Sequence, residues 1–231
     1  MNLKKFAMIY PSYLTEHECD TIQAFSERYE EVVSGTGNNE NDPDAEKFQN
    51  NNQGNVDDNI RQSDVRWLIH NEFPFEISDK IEKGINMASA DAGWLHQWDY
   101  VEHHQYTTYR HRPDARVTGD FYTWHTDSSD EPQSAGGKYR KLSSTIQLSN
   151  PEDYEGGLFQ WIEPRGMFDM LRNSESLQTV SVDEFIQTVP FSGKERGSLI
   201  VFPSFVHHQV TPVTRGTRVS LVSWFHGQPY V

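Results

Sequence analysis

The sequence predicts a mainly β protein with flanking helices, and three observations favour that class. The chain has 231 residues, which suits one β barrel with helices packed against it. Residues 60–69 alternate apolar and polar side chains, as a half-buried strand does. Residues 199–202 form an apolar run and residues 218–225 alternate again, so strand patterns continue to the end. We expect one domain over residues 1–231.

Composition excludes several classes of protein and partner. Hydrophobic residues make up 35% of the chain and aromatic residues 13%, which indicates a globular protein. The net charge of −14 disfavours nucleic acids and anionic membranes as partners, because both would repel the chain. No apolar run approaches the length of a membrane helix, which is about 20 residues. Cys19 is the single cysteine, so no internal disulfide can form, and we expect a cytoplasmic protein without membrane attachment.

The first hundred residues are expected to supply helices, a strand and a loop. Thr15 and Glu18 form a capping-box pattern that predicts a helix over 15–29, and a second helix is predicted over 78–90. Residues 35–59 are rich in asparagine and acidic residues and are poor in apolar ones, which predicts a flexible surface loop. The alternative is a lid that becomes ordered on binding.

The stretch DFYTWHTD, Asp120 to Asp127, carries the first chemical signal. If it is a strand, His125 and Asp127 are two residues apart and point to the same face. An imidazole and a carboxylate side by side can supply two ligands of a facial iron site, with a third from a distant strand. The pair taken alone also fits a chance placement on a solvated strand.

The region from Gly197 to Gly227 supplies candidates for the rest of a site. Its apolar strand ends at Pro203, the adjacent His207 and His208 follow, and residues 214–217 form a turn into a last strand. One face of that last strand carries Arg218, Ser220, Val222 and Trp224. A lone arginine on an apolar strand is costly unless it meets an anion.

At this point the sequence resembles a known family. The segments HTD, FPSFVHHQVTPVTRGTR and SLVSW are similar to those of the iron(II)- and 2-oxoglutarate-dependent dioxygenases. They look most like the prolyl-4-hydroxylase-type group, which includes bacterial and phage PKHD-type hydroxylases. The resemblance covers residues 105–227. It implies a double-stranded β-helix, a distorted jelly roll, whose core we place at 101–227, with iron held near one open end.

The resemblance also implies roles for individual residues. His125, Asp127 and His208 match the metal ligands. Adjacent strand residues point to opposite faces, so His207 and His208 cannot both serve, and His208 has the spacing of the family ligand. Arg218, ten residues later, matches the arginine that binds the far carboxylate of 2-oxoglutarate, with Ser220 assisting.

Other cosubstrate contacts stay open between alternatives. Tyr109 is the candidate on the strand before the HxD strand, although an extra loop at 111–118 leaves its register undecided. Tyr122 matches a recurrent family tyrosine, but strand alternation points it away from the metal side. On a later strand with an unusually polar face, either Thr145 or Gln147 is expected to contact the far carboxylate.

The arginines of the 60–69 strand and two tryptophans carry weaker expectations. Arg61 and Arg66 could touch a substrate, but a solvated strand face is the preferred interpretation. Trp124 and Trp224 are assigned to the barrel core rather than to a substrate cage.

The resemblance implies a dioxygenase that hydroxylates a C–H bond, with succinate and CO2 as coproducts. A peptidyl proline, hydroxylated at C4, is the first substrate choice, so a peptide or protein partner is expected. Iron(II) and 2-oxoglutarate are the expected cofactors, with ascorbate as an optional reductant; oligomeric state is not predicted. Alternatives are another side chain or a small metabolite as substrate, a non-catalytic metal-binding jelly-roll module, or a zinc hydrolase. Arg218 speaks against the hydrolase.

Overall fold

A computed structural model describes residues 5–34, 59–113, 119–132, 134, 136–163 and 181–229. Within those ranges the chain forms fourteen strands and three α-helices, so the prediction of a mainly β protein with flanking helices is confirmed. The strands are β1 Met8–Tyr10, β2 Val32–Val33, β3 Arg61–Gln62, β4 Asp64–Leu68, β5 Tyr100–Val101, β6 His104–Arg110, β7 Phe121–His125, β8 Tyr139–Gln147, β9 Tyr154–Gly156, β10 Phe159–Ile162, β11 Ile186–Thr188, β12 Leu199–Pro203, β13 His208–Val210 and β14 Val213–Gly227. The helices are α1 Glu16–Ser26, α2 Phe75–Ala92 and α3 Phe191–Lys194.

The strands form two antiparallel sheets. The larger sheet has the order β1-β12-β8-β14-β6-β4-β2, with β5 and β9 also paired to β14. The smaller sheet has the order β11-β10-β13-β7-β3. The long strand β14 lies between β8 and β6 in the larger sheet, so its side chains have neighbours on both sides.

Helices α1 and α2 pack on one face of the larger sheet. Thr15 caps α1 as predicted, since the Glu18 N–H donates to its hydroxyl and the Thr15 N–H donates to the Glu18 carboxylate. The apolar stripes of both helices are buried against outward-facing residues of the larger sheet, such as Leu221 and Phe225. This packing fixes one face of the sheet and leaves its other face for the space between the sheets.

A second apolar cluster fills part of that space between the sheets. It includes Phe159 and Val210 from the smaller sheet and Ile200 and Phe202 from the larger one. On β14 the side chains alternate regularly, so Leu221 packs against the helices while its neighbour Ser220 points to the space between the sheets. A cavity occupies the remainder of this space.

The predicted 60–69 strand is in fact two strands that belong to different sheets. Arg61 in β3 pairs with Tyr122 in β7 of the smaller sheet. After Ser63 the chain crosses over, and β4 pairs with β6 in the larger sheet. A single alternating pattern cannot reveal such a crossing, because both strands keep a period of two.

Other predicted elements fall close to their observed positions. The helix expected at 78–90 extends over Phe75–Ala92, and the strand expected from Lys141 begins at Tyr139. Residues 35–58 of the predicted flexible loop lie outside the described residues. Across the described ranges, no helix combines the length and apolarity needed to cross a bilayer.

Candidate active site

A cavity of about 300 Å³ lies between the two sheets. Both sheets contribute to its lining, and so does the segment that follows β7. Its polar and charged lining residues include Arg61, Gln105, Tyr109, Tyr122, His125, Asp127, Arg140, Thr145, His208, Arg218 and Ser220. A space of this size, bounded by strands and lined by a few convergent polar groups, suits a small ligand.

Three potential metal ligands meet at one end of the cavity. His125, Asp127 and His208 each offer a donor atom, and these atoms lie within 4.8 Å of one another. The Nε2 atom of His125 is 3.7 Å from Asp127 Oδ1, and the Nε2 atom of His208 is 3.7 Å from Asp127 Oδ2. Two imidazoles and one carboxylate on one side of a metal leave positions for other ligands, as in non-haem iron(II) oxygenases. The donor set therefore fits iron(II).

Strand ends place these three side chains. His125 is the last residue of β7 and pairs with His208, the first residue of β13, so their rings lie side by side with centres 4.1 Å apart. Asp127 lies just beyond the strand rather than within it, and its N–H donates to the Ser204 carbonyl at 2.9 Å. The chain after β7 is thereby tied to the end of β12, which turns Asp127 toward both histidines.

Backbone carbonyls orient both imidazoles. His125 Nδ1 is 2.7 Å from the Thr123 carbonyl, and His208 Nδ1 is 2.9 Å from the Val206 carbonyl. A carbonyl only accepts hydrogen bonds, so Nδ1 carries a proton in each ring, and in the neutral form of the ring the lone pair is on Nε2. In both residues the free lone pair therefore belongs to the nitrogen that faces Asp127.

The surroundings keep His125 and Asp127 in the protonation states that a metal requires. Burial, together with the neighbouring His208 ring, lowers the pKa of His125 to about 3. Burial by itself would raise the pKa of Asp127, but His208 and His125 beside it hold that pKa below its ordinary value. At neutral pH the site thus presents neutral His125 and an ionised Asp127.

The two adjacent histidines have different environments. His208 is buried and lines the cavity, whereas His207 is exposed. The bend after Pro203 and the pairing of His208 with both His125 and Trp161 decide which of the two enters the cavity. The structure thus places His208, rather than His207, beside the other two expected ligands.

Arg218 is buried in the wall that β14 contributes. Its side chain is 2% exposed, and its one hydrogen bond within the described residues goes to the Ser220 hydroxyl at 3.3 Å. The guanidinium lies 5.4 Å from the centre of the Tyr109 ring. An arginine has five N–H donors, and no described carboxylate offsets the charge of this one. A buried cation in this state fits a carboxylate ligand such as 2-oxoglutarate.

The backbone beside Arg218 also has a special form. Gly157 has a φ of 55°, and a side-chain Cβ there would come 2.8 Å from Arg218 Cδ. A larger residue would therefore displace the arginine, so glycine keeps the space that its side chain occupies.

The structure separates some of the alternatives for the other cosubstrate contacts. Tyr109 lines the cavity and pairs directly with Arg218 across β6 and β14, so the loop at 111–118 does not move it out of register. Residues 114–118 of that loop lie outside the described residues. Of the two candidates on β8, Thr145 lines the cavity, while Gln147 is buried and does not.

Tyr122 faces the cavity, so the expectation that it points away is wrong. Its ring is stacked on His125, with centres 3.4 Å apart and planes 12° from parallel. The reason is an irregularity in pairing: His208 and Val210 of β13, two residues apart, face His125 and Tyr122 of β7, three residues apart. The extra residue forms a bulge, which brings Tyr122 and His125 to the same side of the strand.

Arg140, a half-buried residue of the cavity lining, forms an ion pair with Glu102. Its Nε and one terminal nitrogen donate to the two Glu102 oxygens at 2.9 and 2.8 Å, and its guanidinium lies 4.0 Å from the centre of the Trp224 ring. His226, which is fully buried, is 2.9 Å from the same Glu102 carboxylate. Trp224 lines the cavity, which corrects its assignment to the core alone. Trp224 lies on the same face of β14 as Arg218, and this alternation in the sequence already indicated that its side chain faces the cavity.

Arg61 is 6% exposed and lines the cavity, so its assignment to a solvated strand face is wrong. The crossing between sheets at Ser63 turns its side chain inward. Strand alternation places Gln105 on the same face as Tyr109, although no role was assigned to it, and sequence reasoning missed Arg140 as a cavity residue. Arg140 lies one residue before the predicted strand, and the partner that buries it, Glu102, is 38 residues away in the chain. No local pattern signals such a pair.

Comparisons with known proteins agree with this geometry. Residues 104–226, more than half of the chain, match the family described as the 2OG-Fe(II) oxygenase superfamily. The chain belongs to this superfamily. The prediction of the 2-oxoglutarate-dependent dioxygenase family is therefore confirmed, and the family implies iron(II) and 2-oxoglutarate as cofactors.

One curated relative is a PKHD-type hydroxylase of Azoarcus sp. (strain BH72). It is 33% identical over 108 residues, which are 46% of this chain and 38% of the relative. The chain thus matches less than half of the length of this relative.

Two solved structures share the fold. One is the viral collagen prolyl hydroxylase of Paramecium Bursaria Chlorella virus-1 in its 2OG complex. Its superposition on this chain has a TM-score of 0.57 at 15% sequence identity, and the match covers 97% of this chain and 97% of that one. A prolyl hydroxylase of Trichoplax adhaerens, in complex with a hypoxia inducible factor oxygen degradation domain peptide fragment, has a TM-score of 0.54 at 14% identity and covers 95% of this chain and 82% of that one. These oxygenase folds confirm the expected jelly-roll architecture.

Proposed function

We propose that this member of the superfamily hydroxylates a peptidyl proline at C4, using iron(II) and 2-oxoglutarate. The observation that carries the chemistry is the placement of His125, Asp127 and His208 and of the unneutralised Arg218 around one cavity of about 300 Å³. A metal site alone would fit a hydrolase or a binding module as well. The buried arginine supplies what those alternatives do not need, a position for a second carboxylate.

In this proposal the metal end of the cavity holds iron(II) through the Nε2 atoms of His125 and His208 and through the Asp127 carboxylate. Iron(II) with 2-oxoglutarate, when bound, supplies the oxidation of a substrate C–H bond by dioxygen, with succinate and CO2 as coproducts. The backbone carbonyls that accept from the two Nδ1 atoms keep both rings oriented while ligands exchange. Phe159, Phe202 and Val210 line this end with apolar surface, which limits access of water.

The β14 wall would hold the cosubstrate by its far carboxylate. Arg218 would pair with that carboxylate, and the Ser220 hydroxyl, already 3.3 Å from the guanidinium, would share the contact. Thr145 and Tyr109 complete this part of the lining. Gln147, which does not line the cavity, is the weaker candidate.

Proline as the substrate is supported by the fold and by tryptophan and arginine side chains in the cavity lining. The two structural neighbours carry prolyl hydroxylase names, and one was solved with a peptide. Trp67 and Trp224 provide flat apolar surfaces against which a pyrrolidine ring can pack. Arg140, which Glu102 holds in place, lines the cavity next to Trp224.

The proposal also includes a partner and a reductant. A peptide or protein would be the partner, and ascorbate would serve as a reductant that keeps the metal as iron(II). The cytoplasmic location remains a prediction.

The test is an aerobic incubation of the iron-loaded protein with 2-oxoglutarate and a proline-containing peptide. We expect peptide-stimulated succinate, a mass gain of one oxygen atom on the peptide, and 4-hydroxyproline after acid hydrolysis. The same peptide with alanine in place of proline is the matched control. Succinate without stimulation by the proline peptide would preserve the enzyme class and remove the substrate, whereas iron binding without any succinate would favour the binding-module or hydrolase alternatives.

A further inference from the structure

A second arginine in the cavity has no acidic partner among the residues that the structure describes. Arg61 is 6% exposed, and its Nε and one terminal nitrogen donate to the Ser63 hydroxyl at 3.0 Å and to Gln105 Oε1 at 2.8 Å. Its guanidinium lies 4.7 Å from the centre of the Tyr122 ring. None of these partners carries a negative charge, so within the described residues the Arg61 cation is oriented but not neutralised.

The other charged groups of the cavity are neutralised when iron(II) and 2-oxoglutarate are bound. Glu102 offsets Arg140. Iron(II) bound to Asp127 leaves one positive charge, which the 2-oxo acid end of 2-oxoglutarate offsets, and the far carboxylate offsets Arg218. Of the described cations that line the cavity, Arg61 then remains without an offsetting charge. Burying a cation without an anion is costly, so a ligand that brings a negative charge to this place is favoured.

We propose that Arg61 is the anion-binding residue of the substrate subsite, and that the substrate carries a carboxylate close to the carbon that is hydroxylated. This inference rests on the proposed function and narrows its substrate class. Arg61 lies over Tyr122, and Tyr122 is stacked on the metal-binding candidate His125 with ring centres 3.4 Å apart. The path from the Arg61 guanidinium across the Tyr122 ring to the His125 ring is about as long as two residues of extended chain. The carboxylate is therefore expected within about two residues of the hydroxylated carbon.

Gln105 explains how the arginine is positioned without being neutralised. Its Oε1 atom accepts from both Arg61 and the Thr107 hydroxyl, at 2.8 and 3.2 Å, so an amide oxygen fills the place that a carboxylate could take. A glutamate at 105 would keep the shape and the acceptor but would offset the cation from within the protein. The substitution Gln105→Glu is therefore a nearly isosteric way to remove the proposed anion site.

Two sources could supply the carboxylate, an acidic side chain within a peptide or the α-carboxylate of a proline itself. Each source has a matched neutral compound. The first pair is the acetylated and amidated peptides Gly-Pro-Asp-Gly and Gly-Pro-Asn-Gly, and the second is N-acetyl-L-proline and N-acetyl-L-prolinamide. Binding is measured without oxygen on protein loaded with Mn(II) and 2-oxoglutarate, by the fluorescence of Trp67 and Trp224 in the cavity wall.

In the unaltered protein we expect the acidic member of at least one pair to bind about tenfold or more tightly than its neutral partner. Arg61→Gln and Gln105→Glu should each abolish that preference, while both variants keep their affinity for 2-oxoglutarate, which shows that the cavity is folded. Arg66→Gln is the matched control, because Arg66 lies outside the cavity lining and 3.6 Å from Glu31. It should keep the preference.

Equal binding of acidic and neutral members in both pairs would overturn the inference, as would a preference that survives Arg61→Gln. Absence of binding by all four compounds would overturn it too. In that case the proposed chemistry is tested separately, by the visible absorption band of an iron(II)–2-oxoglutarate chelate recorded without oxygen, because this band forms without substrate. If the band forms, only the inference about Arg61 fails; if it does not, the proposed function fails as well.

Discussion

The two walls of the cavity are built in different ways. On β14, a regular strand in the middle of the larger sheet, Arg218, Ser220, Val222 and Trp224 follow one another at every second position. On the opposite wall, β7 and β13 of the smaller sheet meet at a bulge, and the metal-binding candidates lie at strand ends or beyond them. The regular wall presents a cation, and the irregular wall presents two imidazole rings and a carboxylate.

The difference shows what each kind of chemistry requires. One arginine that binds a carboxylate needs only a buried position with neighbours on both sides, which a regular strand provides. Three donor atoms within 4.8 Å of one another need chain directions that one regular strand cannot supply. Here the bulge and the hydrogen bond from Asp127 N–H to the Ser204 carbonyl bring them together.

The irregular wall should show the largest mutational effect. His208→Ala removes a ligand whose lone pair faces the site, so iron(II) affinity should fall by roughly a hundredfold or more, beyond the 10–100-fold typical of outer-sphere changes. His207→Ala is the matched control and should bind iron almost normally, because His207 is exposed. Anaerobic iron titration followed by desalting measures both. The opposite result would mean that the register of β13 is shifted by one residue.

On the regular wall, Arg218→Ala should weaken 2-oxoglutarate binding by about a hundredfold while leaving iron binding nearly unchanged. Arg215→Ala is the matched control on the same strand, since Arg215 is exposed and pairs with Glu155. Calorimetry of 2-oxoglutarate binding to the Mn(II)-loaded protein gives the comparison. Equal losses of metal and 2-oxoglutarate affinity would instead assign Arg218 a structural role.

The bulge itself can be tested through Tyr122. Because its ring is stacked on His125, Tyr122→Leu should lower metal affinity by about three- to tenfold through a less restrained imidazole. Phe121→Leu, one position earlier on β7, should leave the affinity unchanged, since Phe121 is not part of the cavity lining. Equal effects of the two substitutions would contradict the bulge, and would mean that side chains alternate regularly between the two faces of β7.

The smallest predicted effect is on the pH dependence of stability, to which buried histidines of both sheets contribute. Burial lowers the pKa of His125 in β7, and likewise the pKa of His104 in β6, to about 3 from the ordinary 6.5. The folded state thus favours the neutral rings, so the metal-free protein should lose stability as pH falls below about 6.5. His104→Gln should flatten this pH dependence by up to about 1.4 kcal/mol per pH unit.

Thermal unfolding of the metal-free protein between pH 7 and 5 measures that slope. His17→Gln, a substitution of an exposed histidine in α1, is the control and should keep the slope of the unaltered protein. An unchanged slope in His104→Gln would mean that His104 is not held neutral by the fold.

Regularity also decides what could be predicted from sequence. The Arg218 face of β14 and the capped helix α1 follow from period and capping chemistry, and the structure places Arg218 where those patterns put it. The assignments of Tyr122 and Arg61 failed, because a bulge and a crossing between sheets change the facing direction without leaving a local mark. The Arg140–Glu102 pair depends on a contact between residues 38 positions apart, which only the fold reveals.

The central claim is that the two walls act on one chelate, with the metal on the irregular wall and the far carboxylate on the regular one. The most direct test is to add iron(II) and then 2-oxoglutarate to the protein without oxygen and to record the visible spectrum. The account predicts the weak charge-transfer band of an iron(II)–2-oxo acid chelate, absent from Arg218→Ala at concentrations that saturate the unaltered protein. Iron that binds without producing a band on addition of 2-oxoglutarate would contradict it.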